Sequence, residues 1–314
     1  MNKNELIAGI KKLKSEKNAV ILAHYYTIGD IQDIADFVGD SLALAQKAAK
    51  SDADIIVMCG VHFMGETCKI LCPNKKVLVP DLAAGCSLAD SCPADDFGKF
   101  VKAHPGYTVL SYVNTTAAVK YYTDIVVTSG NALKIVNTLP QDEKIIFAPD
   151  RNLGSYINAV TGRDMLLWDG ACHVHEQFST NAILELKKEH PQAQVLVHPE
   201  CKRPVVLLAD KVGSTAVLLK YAVESDCKEF IVATESGILH EMQKQAPQKT
   251  FIPVPPEVTE GSVGCSCNEC AYMRLNTLEK LYACLRDETP EIKVDKAIAE
   301  RAKLPIDRML EMSK

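Results

Sequence analysis

The residues of this chain best suited to chemistry fall into three similar sets. Each set has an apolar, β-branched run ending on a polar ring: Ile21-Leu22-Ala23-His24, Val109-Leu110-Ser111-Tyr112 and Val195-Leu196-Val197-His198. Two residues further on stand Tyr26, Asn114 and Glu200. Strand side chains repeat every second residue, so each run delivers a pair of functional groups pointing the same way. Each set also closes on cysteine: Cys86 after Gly85, Cys172 after Gly170-Ala171, and Cys265-Ser266-Cys267-Asn268-Glu269-Cys270. Histidine, tyrosine and glutamate suit proton transfer near neutral pH, and thiolates bind soft metals.

Three thiolates from separated loops converge only if the sets pack around a pseudo-threefold axis. That arrangement offers three ligands and one open coordination position, which a Lewis-acid metal needs. A structural zinc site would use four ligands with short local spacings such as Cys-x-x-Cys twice, which this chain lacks. An iron-sulfur cluster with three cysteine ligands, one from each set, and one open iron fits better. On spacing alone, inert buried thiols are an equal alternative; recurrence at one place in a repeat favours the metal. Cys68 and Cys72 read as a core stripe on a helix, and Cys59, Cys92, Cys201, Cys227 and Cys284 as structural. Cys265 and Cys267 are close enough to Cys270 to compete as ligands or to form a disulfide with it.

The elements that would position these groups also recur. Second strands are expected at Ile55 to Met58, Val126 to Thr128 and Phe230 to Thr234, and third strands at Val77 to Asp81, Ile145 to Asp150 and Phe251 to Pro255. Gly39-Asp40-Ser41 before one helical stretch resembles Gly213-Ser214-Thr215 before another, and Thr115-Thr116 reads as the same hydroxyl cap in a middle unit with a helix deleted. The pattern is an internal triplication. Alternating strands and helices imply an α/β fold of three pseudo-symmetric αβα domains with parallel sheets, ligands gathering at the carboxyl ends of the strands. The expected boundaries are 1–90, 91–177 and 178–270, with C-terminal helices over 271–314 packing back. Ser41, Ser129 and Thr215 sit where chain enters helix, where a hydroxyl and free N–H groups bind anions; a plain N-cap worth about 1 kcal/mol has the same geometry.

Composition narrows the class. The chain has 314 residues, 47% of them hydrophobic, a net charge of -5 and 6% aromatics, which suits a globular protein and offers neither a phosphate-tracking groove nor a base-stacking platform. No nucleic-acid partner is expected. The N-terminal stretch from Met1 to Lys17 lacks a signal-peptide core and no membrane span is evident, so a cytoplasmic location is expected. There, twelve cysteines indicate metal binding, thiol chemistry or burial rather than disulfides.

Together these segments resemble quinolinate synthase, an enzyme family of NAD biosynthesis. The resemblance covers nearly the whole chain. It is carried by Ala23-His24-Tyr25-Tyr26, Gly39-Asp40-Ser41-Leu42, Pro80 to Leu88, Tyr112-Val113-Asn114-Thr115, Thr128-Ser129-Gly130-Asn131, Asp169 to His175, His198-Pro199-Glu200-Cys201 and Cys270-Ala271-Tyr272-Met273. It implies three α/β domains around one 4Fe-4S cluster with one iron free of protein ligands, and condensation of iminoaspartate with dihydroxyacetone phosphate. It implies cluster ligands at Cys86, Cys172 and Cys270, substrate contacts at His24, Ser41, Tyr112, Asn114, Ser129, His198, Glu200 and Thr215, and proton transfer at Tyr26. Glu200 and His24 join Tyr26 as expected catalytic groups, and a functional link to an aspartate-oxidising enzyme follows from the substrate. Some relatives have Cys-x-x-Cys-x-x-Cys where this chain has Cys265-x-Cys267-x-x-Cys270, a departure from the motif on which a thiol switch would rest. Two other readings share parts of this chemistry: an aconitase-like hydro-lyase, and a non-enzymatic iron-sulfur carrier or redox sensor.

Overall fold

The computed structural model describes residues 1–256 and 268–314; Cys265 and Cys267 lie outside them. The first sheet holds β1 (Ala19–His24), β2 (Phe37–Gly39), β3 (Ile55–Cys59) and β4 (Lys76–Leu78). The second holds β5 (Thr108–Tyr112), β6 (Ile125–Val127), β7 (Ile145–Ala148) and β8 (Leu166–Leu167), and the third β9 (Gln194–Val197), β10 (Lys211–Val212), β11 (Glu229–Ala233) and β12 (Thr250–Pro253). All three sheets have one spatial order, β2-β1-β3-β4, β6-β5-β7-β8 and β10-β9-β11-β12, and their strands pair in parallel. Parallel strands covered on both faces read as continuous apolar runs, and Ile55–Cys59 is buried along its whole length.

The repeat extends to side chains. Asp36, Asp124 and Asp210 each stand just before or at the start of an edge strand and accept the backbone N–H of Ile21, Val109 and Val195 at 2.8, 2.9 and 2.7 Å. Each returns its own N–H to the same residue's carbonyl at 2.9 Å. This aspartate clamp ties the edge strand beside the first strand, β2, β6 or β10, to that first strand in each sheet.

The middle unit differs from the expected alignment. Its Ile125–Val127 is the edge strand, the counterpart of β2 and β10, and Ile145–Ala148 is the counterpart of β3 and β11. A fourth strand, Leu166–Leu167, completes the sheet. Consequently Thr115-Thr116 is not the equivalent of Gly39-Asp40-Ser41. Thr116 does cap a short helix, Ala117–Lys120, but Thr128-Ser129 occupies the equivalent place after the edge strand.

Helix Lys3–Glu16 buries Leu6 and Ile10 with Leu278, Leu281 and Leu285 of helix Leu278–Asp287 against the first sheet. The last helix, Lys296–Met312, sets Ala302, Ile306 and Met309 into the core shared by the first two sheets. Among the described residues, no helix is long and apolar enough to cross a membrane.

Candidate active site

Register explains how the three sheets present matching groups. His24 lies opposite Gly39, Tyr112 opposite Val127 and Val197 opposite Val212, so Ser41, Ser129 and Thr215 each emerge beside the end of a first strand. On the other side, Ala23 pairs with Cys59, Ser111 with Ala148 and Val197 with Ala233. Two residues beyond those partners stand Val61, Asp150 and Glu235. In this strand order the chain reverses between the first strand and its inner neighbour, which is where open α/β sheets bind ligands.

The three switch points open into one cavity, with about 720 Å3 of empty space when its mouth is included. The first unit lines it with His24, Tyr26, Ser41 and Cys86, the second with Tyr112, Asn114, Ser129 and Cys172, and the third with His198, Glu200, Thr215 and Cys270. Every candidate site residue read from the sequence is therefore brought to one cavity.

The cysteines share a local geometry. The carbonyls of Cys86, Cys172 and Cys270 accept the N–H of Asp90, Glu176 and Arg274, each closing one helical turn. Backbone N–H groups of that turn also face each sulfur: Leu88 and Ala89 for Cys86, His175 for Cys172, Tyr272 and Met273 for Cys270. Burial pushes Cys86 up to about 12 and raises Cys172 and Cys270 as well, so none is a free thiolate at neutral pH by its surroundings alone. No lysine or arginine is among the described residues lining the cavity. Three half-buried thiols, each met by N–H donors, fit a soft metal or iron-sulfur group, whose positive charge would favour the thiolates.

A second donor set, Cys172, His175 and Glu200, has its ligand atoms within 4.8 Å of one another. It is better described as a hydrogen-bonded network. Thr215 Oγ1 lies 2.7 Å from Tyr26 Oη, which lies 2.9 Å from Thr234 Oγ1, which lies 3.0 Å from His175 Nε2. His175 Nδ1 is 3.1 Å from Glu200 Oε2, and Tyr112 Oη donates to Glu200 Oε1 at 2.5 Å. His175 Nδ1 itself makes no hydrogen bond, and the bonds through its Nε2 and through Tyr112 join groups from all three units.

Electrostatics assigns protonation states. Burial holds His24 down at about 4 and His198 at about 3, against the pull of Glu200. Each imidazole accepts the backbone N–H two residues on at Nδ1, from Tyr26 at 3.2 Å and from Glu200 at 3.4 Å. Both are therefore neutral rings with the proton on Nε2, free to donate. Burial raises Tyr26 and Tyr112 well above the usual phenol range, keeping both hydroxyls protonated. Burial also pushes Glu200 up, but His175, His198 and its hydrogen bonds outweigh it and keep the carboxylate ionised. Asn114 Oδ1 is buried without a protein partner.

His175, Thr234 and Glu235 are site residues that the sequence reading passed over. Glu235 stands two residues past the strand Glu229–Ala233, but one past the strand end expected at Thr234, so the two-residue rule lands on Ser236 instead. His175 stands three residues after Cys172, where a helical turn folds it back toward the cysteine. The remaining described cysteines serve packing: Cys59, Cys68, Cys72, Cys92, Cys201 and Cys284 are buried, and Cys227 is half-buried.

Comparison with known proteins gives the family. The family described as quinolinate synthetase A protein (NadA) matches residues 8–311. Proteins named quinolinate synthase from Microcystis aeruginosa and from a Synechococcus are 58% identical over 99% of this chain and 96% of their own, and 57% identical over 98% and 95%. One from a Synechocystis is 56% identical over 98% of this chain and 96% of its own. With the same set of groups contributed by three repeated sheets and a match running through all of them, the chain belongs to the quinolinate synthetase A family of enzymes.

Proposed function

We propose that this enzyme condenses iminoaspartate with dihydroxyacetone phosphate to quinolinate, releasing phosphate and water, and that Cys86, Cys172 and Cys270 hold one 4Fe-4S cluster with one iron open. The observation that carries the reading is the cavity itself: three strand-end pairs, the hydroxyls of Ser41, Ser129 and Thr215, and three cysteine turns converge there without a lysine or arginine among its described lining. Anionic substrates must then be held by neutral donors, helix N-termini and the bound group. When bound, the cluster supplies a Lewis acid for a hydroxyl or carboxylate at its open iron.

The neutral His24 and His198 donate from Nε2 to substrate carboxylate or hydroxyl oxygens. Ser41 and Thr215 open the helices Ser41–Ala49 and Thr215–Glu224, and with Ser129 they offer hydroxyl donors beside amides that favour phosphate or carboxylate. Asn114 Oδ1 accepts a nitrogen-bound proton of the imine or of the condensation product. The ionised Glu200 takes a proton from carbon during enolisation, steadied by Tyr112. Tyr26, held by Thr215 and Thr234, returns a proton to oxygen.

Iminoaspartate hydrolyses readily in water, so an aspartate-oxidising enzyme is the expected supplier. A cytoplasmic setting suits the ten described cysteines, all of them free thiols. The test is anaerobic purification with iron and sulfide analysis, followed by assay of quinolinate formation from both substrates. Iron and sulfide near four each per chain with turnover is expected; a colourless, iron-free protein that still makes quinolinate would overturn the reading.

A further inference from the structure

The three cysteine turns are alike, but they are anchored differently. The residues two beyond the second strand's paired position are Val61, Asp150 and Glu235. In the third unit this residue is a buried carboxylate that touches the cysteine turn: Glu235 Oε1 accepts the backbone N–H of Cys270 at 3.0 Å and Arg274 Nη2 at 3.1 Å. Its Oε2 accepts the N–H of Gly237 at 2.7 Å. Arg274 is itself the residue whose N–H closes the Cys270 turn, at 3.2 Å, and Ser236 N–H bonds the carbonyl of Asn268 at 3.0 Å. The whole Asn268-to-Arg274 segment is thus seated on the Glu235-Ser236-Gly237 turn. Gly237 has to be glycine there, because a Cβ would come within 2.8 Å of Glu235 Oε2, Tyr25 O and Tyr26 Cα. In the first unit the equivalent residue is Val61, which has no acceptor, and the loop to Cys86 is held instead by a backbone bond from His62 to Ala84 at 2.7 Å.

We propose that Glu235, braced by Arg274, is a positioning residue that holds the Cys270 turn at the distance a cysteine-bound group requires. The proposal rests on the assignment of Cys270 as a ligand. Residues that orient metal ligands from behind commonly change metal retention by about 10–100-fold when removed. Here one carboxylate fixes both the N–H of the ligand residue and the arginine that closes its turn, so its loss frees the turn while the strand beneath stays paired.

The experiment compares wild type with Glu235→Ala, Glu235→Gln, Arg274→Ala and Cys270→Ala as full-length proteins reconstituted anaerobically with iron and sulfide. It reads iron and sulfide per chain, visible absorption, and the rate of iron loss to a chelator. Glu235→Ala is expected to fill but to lose iron about 10–100-fold faster than wild type. Glu235→Gln, which keeps an acceptor toward Cys270, is expected to recover most of that loss, and Arg274→Ala to fall between. A residue that only supports the fold would lower the melting temperature of the iron-free protein without this graded order. If Cys270→Ala empties the site while Glu235→Ala, or Glu235→Gln and Arg274→Ala should the alanine variant not fold, releases iron at the wild-type rate, the proposal is overturned and the ligand assignment stands. If Cys270→Ala keeps its cluster, the ligand assignment falls and this inference with it.

Discussion

Tyr112 donates its hydroxyl to Glu200 across the boundary between the second and third sheets, at 2.5 Å, with both side chains buried. The two residues come from different places in two repeats: Tyr112 is the counterpart of His198, and Glu200 is the counterpart of Asn114. The contact fixes one oxygen of Glu200 and leaves the other facing His175.

Glu200→Gln is therefore expected to keep the shape of this contact while removing the charge that accepts a proton. Quinolinate formation should fall by about 10²–10⁴-fold, the range for loss of a general base, with iron content unchanged. Near-normal turnover in this variant would remove Glu200 from the chemistry.

Tyr26→Phe breaks the network between Thr215 and Thr234 without altering the ring that packs edge-on against His24, 4.5 Å between centroids. A proton-transfer role makes kcat fall about 100-fold with KM little changed. A rise in KM at constant kcat would instead mark Tyr26 as a binding group.

Much of this site was legible because it sits on strong strands. Runs such as Val195-Leu196-Val197-His198 announce both the strand and its end, and a period of two then places Tyr26, Asn114 and Glu200 correctly in the cavity. The edge strands were not legible. Lys211–Val212 and Leu166–Leu167 are two residues each, too short to show any period, and without them Val126 was aligned with Ile56 instead of with Val38. That slip hid the equivalence of Ser129 with Ser41 and Thr215. The aspartate clamps were equally hidden, because an aspartate before a short strand looks like a turn residue until its partner on the first strand is seen. His175 escapes the sequence for another reason: it acts through contacts between units, which no local pattern encodes, whereas Glu235 acts on the Cys270 turn of its own unit.

The buried imidazoles make a prediction about acid stability. His198 takes a proton in the folded protein only near pH 3, but near 6.5 in the unfolded chain. Between those values the unfolded state binds the extra proton, so this residue's contribution falls as pH drops from 6.5 and has no slope above it. Comparing urea midpoints of wild type and His198→Gln cancels the other groups. Wild type should lose stability relative to the variant by up to about 1.4 kcal/mol per pH unit as pH is lowered from 6 to 4. A constant difference over that range would mean that His198 is not held neutral.

Lys120 offers the last test, because it supports the site from behind. It is fully buried, and its Nζ donates to the carbonyls of Val113 and Thr115, at 2.9 and 2.5 Å, and to Thr115 Oγ1 at 3.2 Å. Burial lowers it to about 8, so a cation is kept out of water for the sake of the turn that carries Asn114. Thr115 Oγ1 in turn donates to the carbonyl of Tyr112 at 3.0 Å, linking the lysine to both cavity residues of the second strand end. Lys120→Met fills the same space but orphans the Thr115 carbonyl, while Val113 O keeps the N–H of Thr115 at 2.8 Å and Thr115 Oγ1 keeps its bond to Tyr112 O. Stability should therefore drop by about 1–3 kcal/mol, the cost of one buried orphan, read from urea unfolding. If the turn's position matters to the site, quinolinate binding should weaken with it, and combining Lys120→Met with Asn114→Ala should weaken binding by less than the sum of the two, since the first change already displaces the group removed by the second. Strict additivity would confine Lys120 to stability.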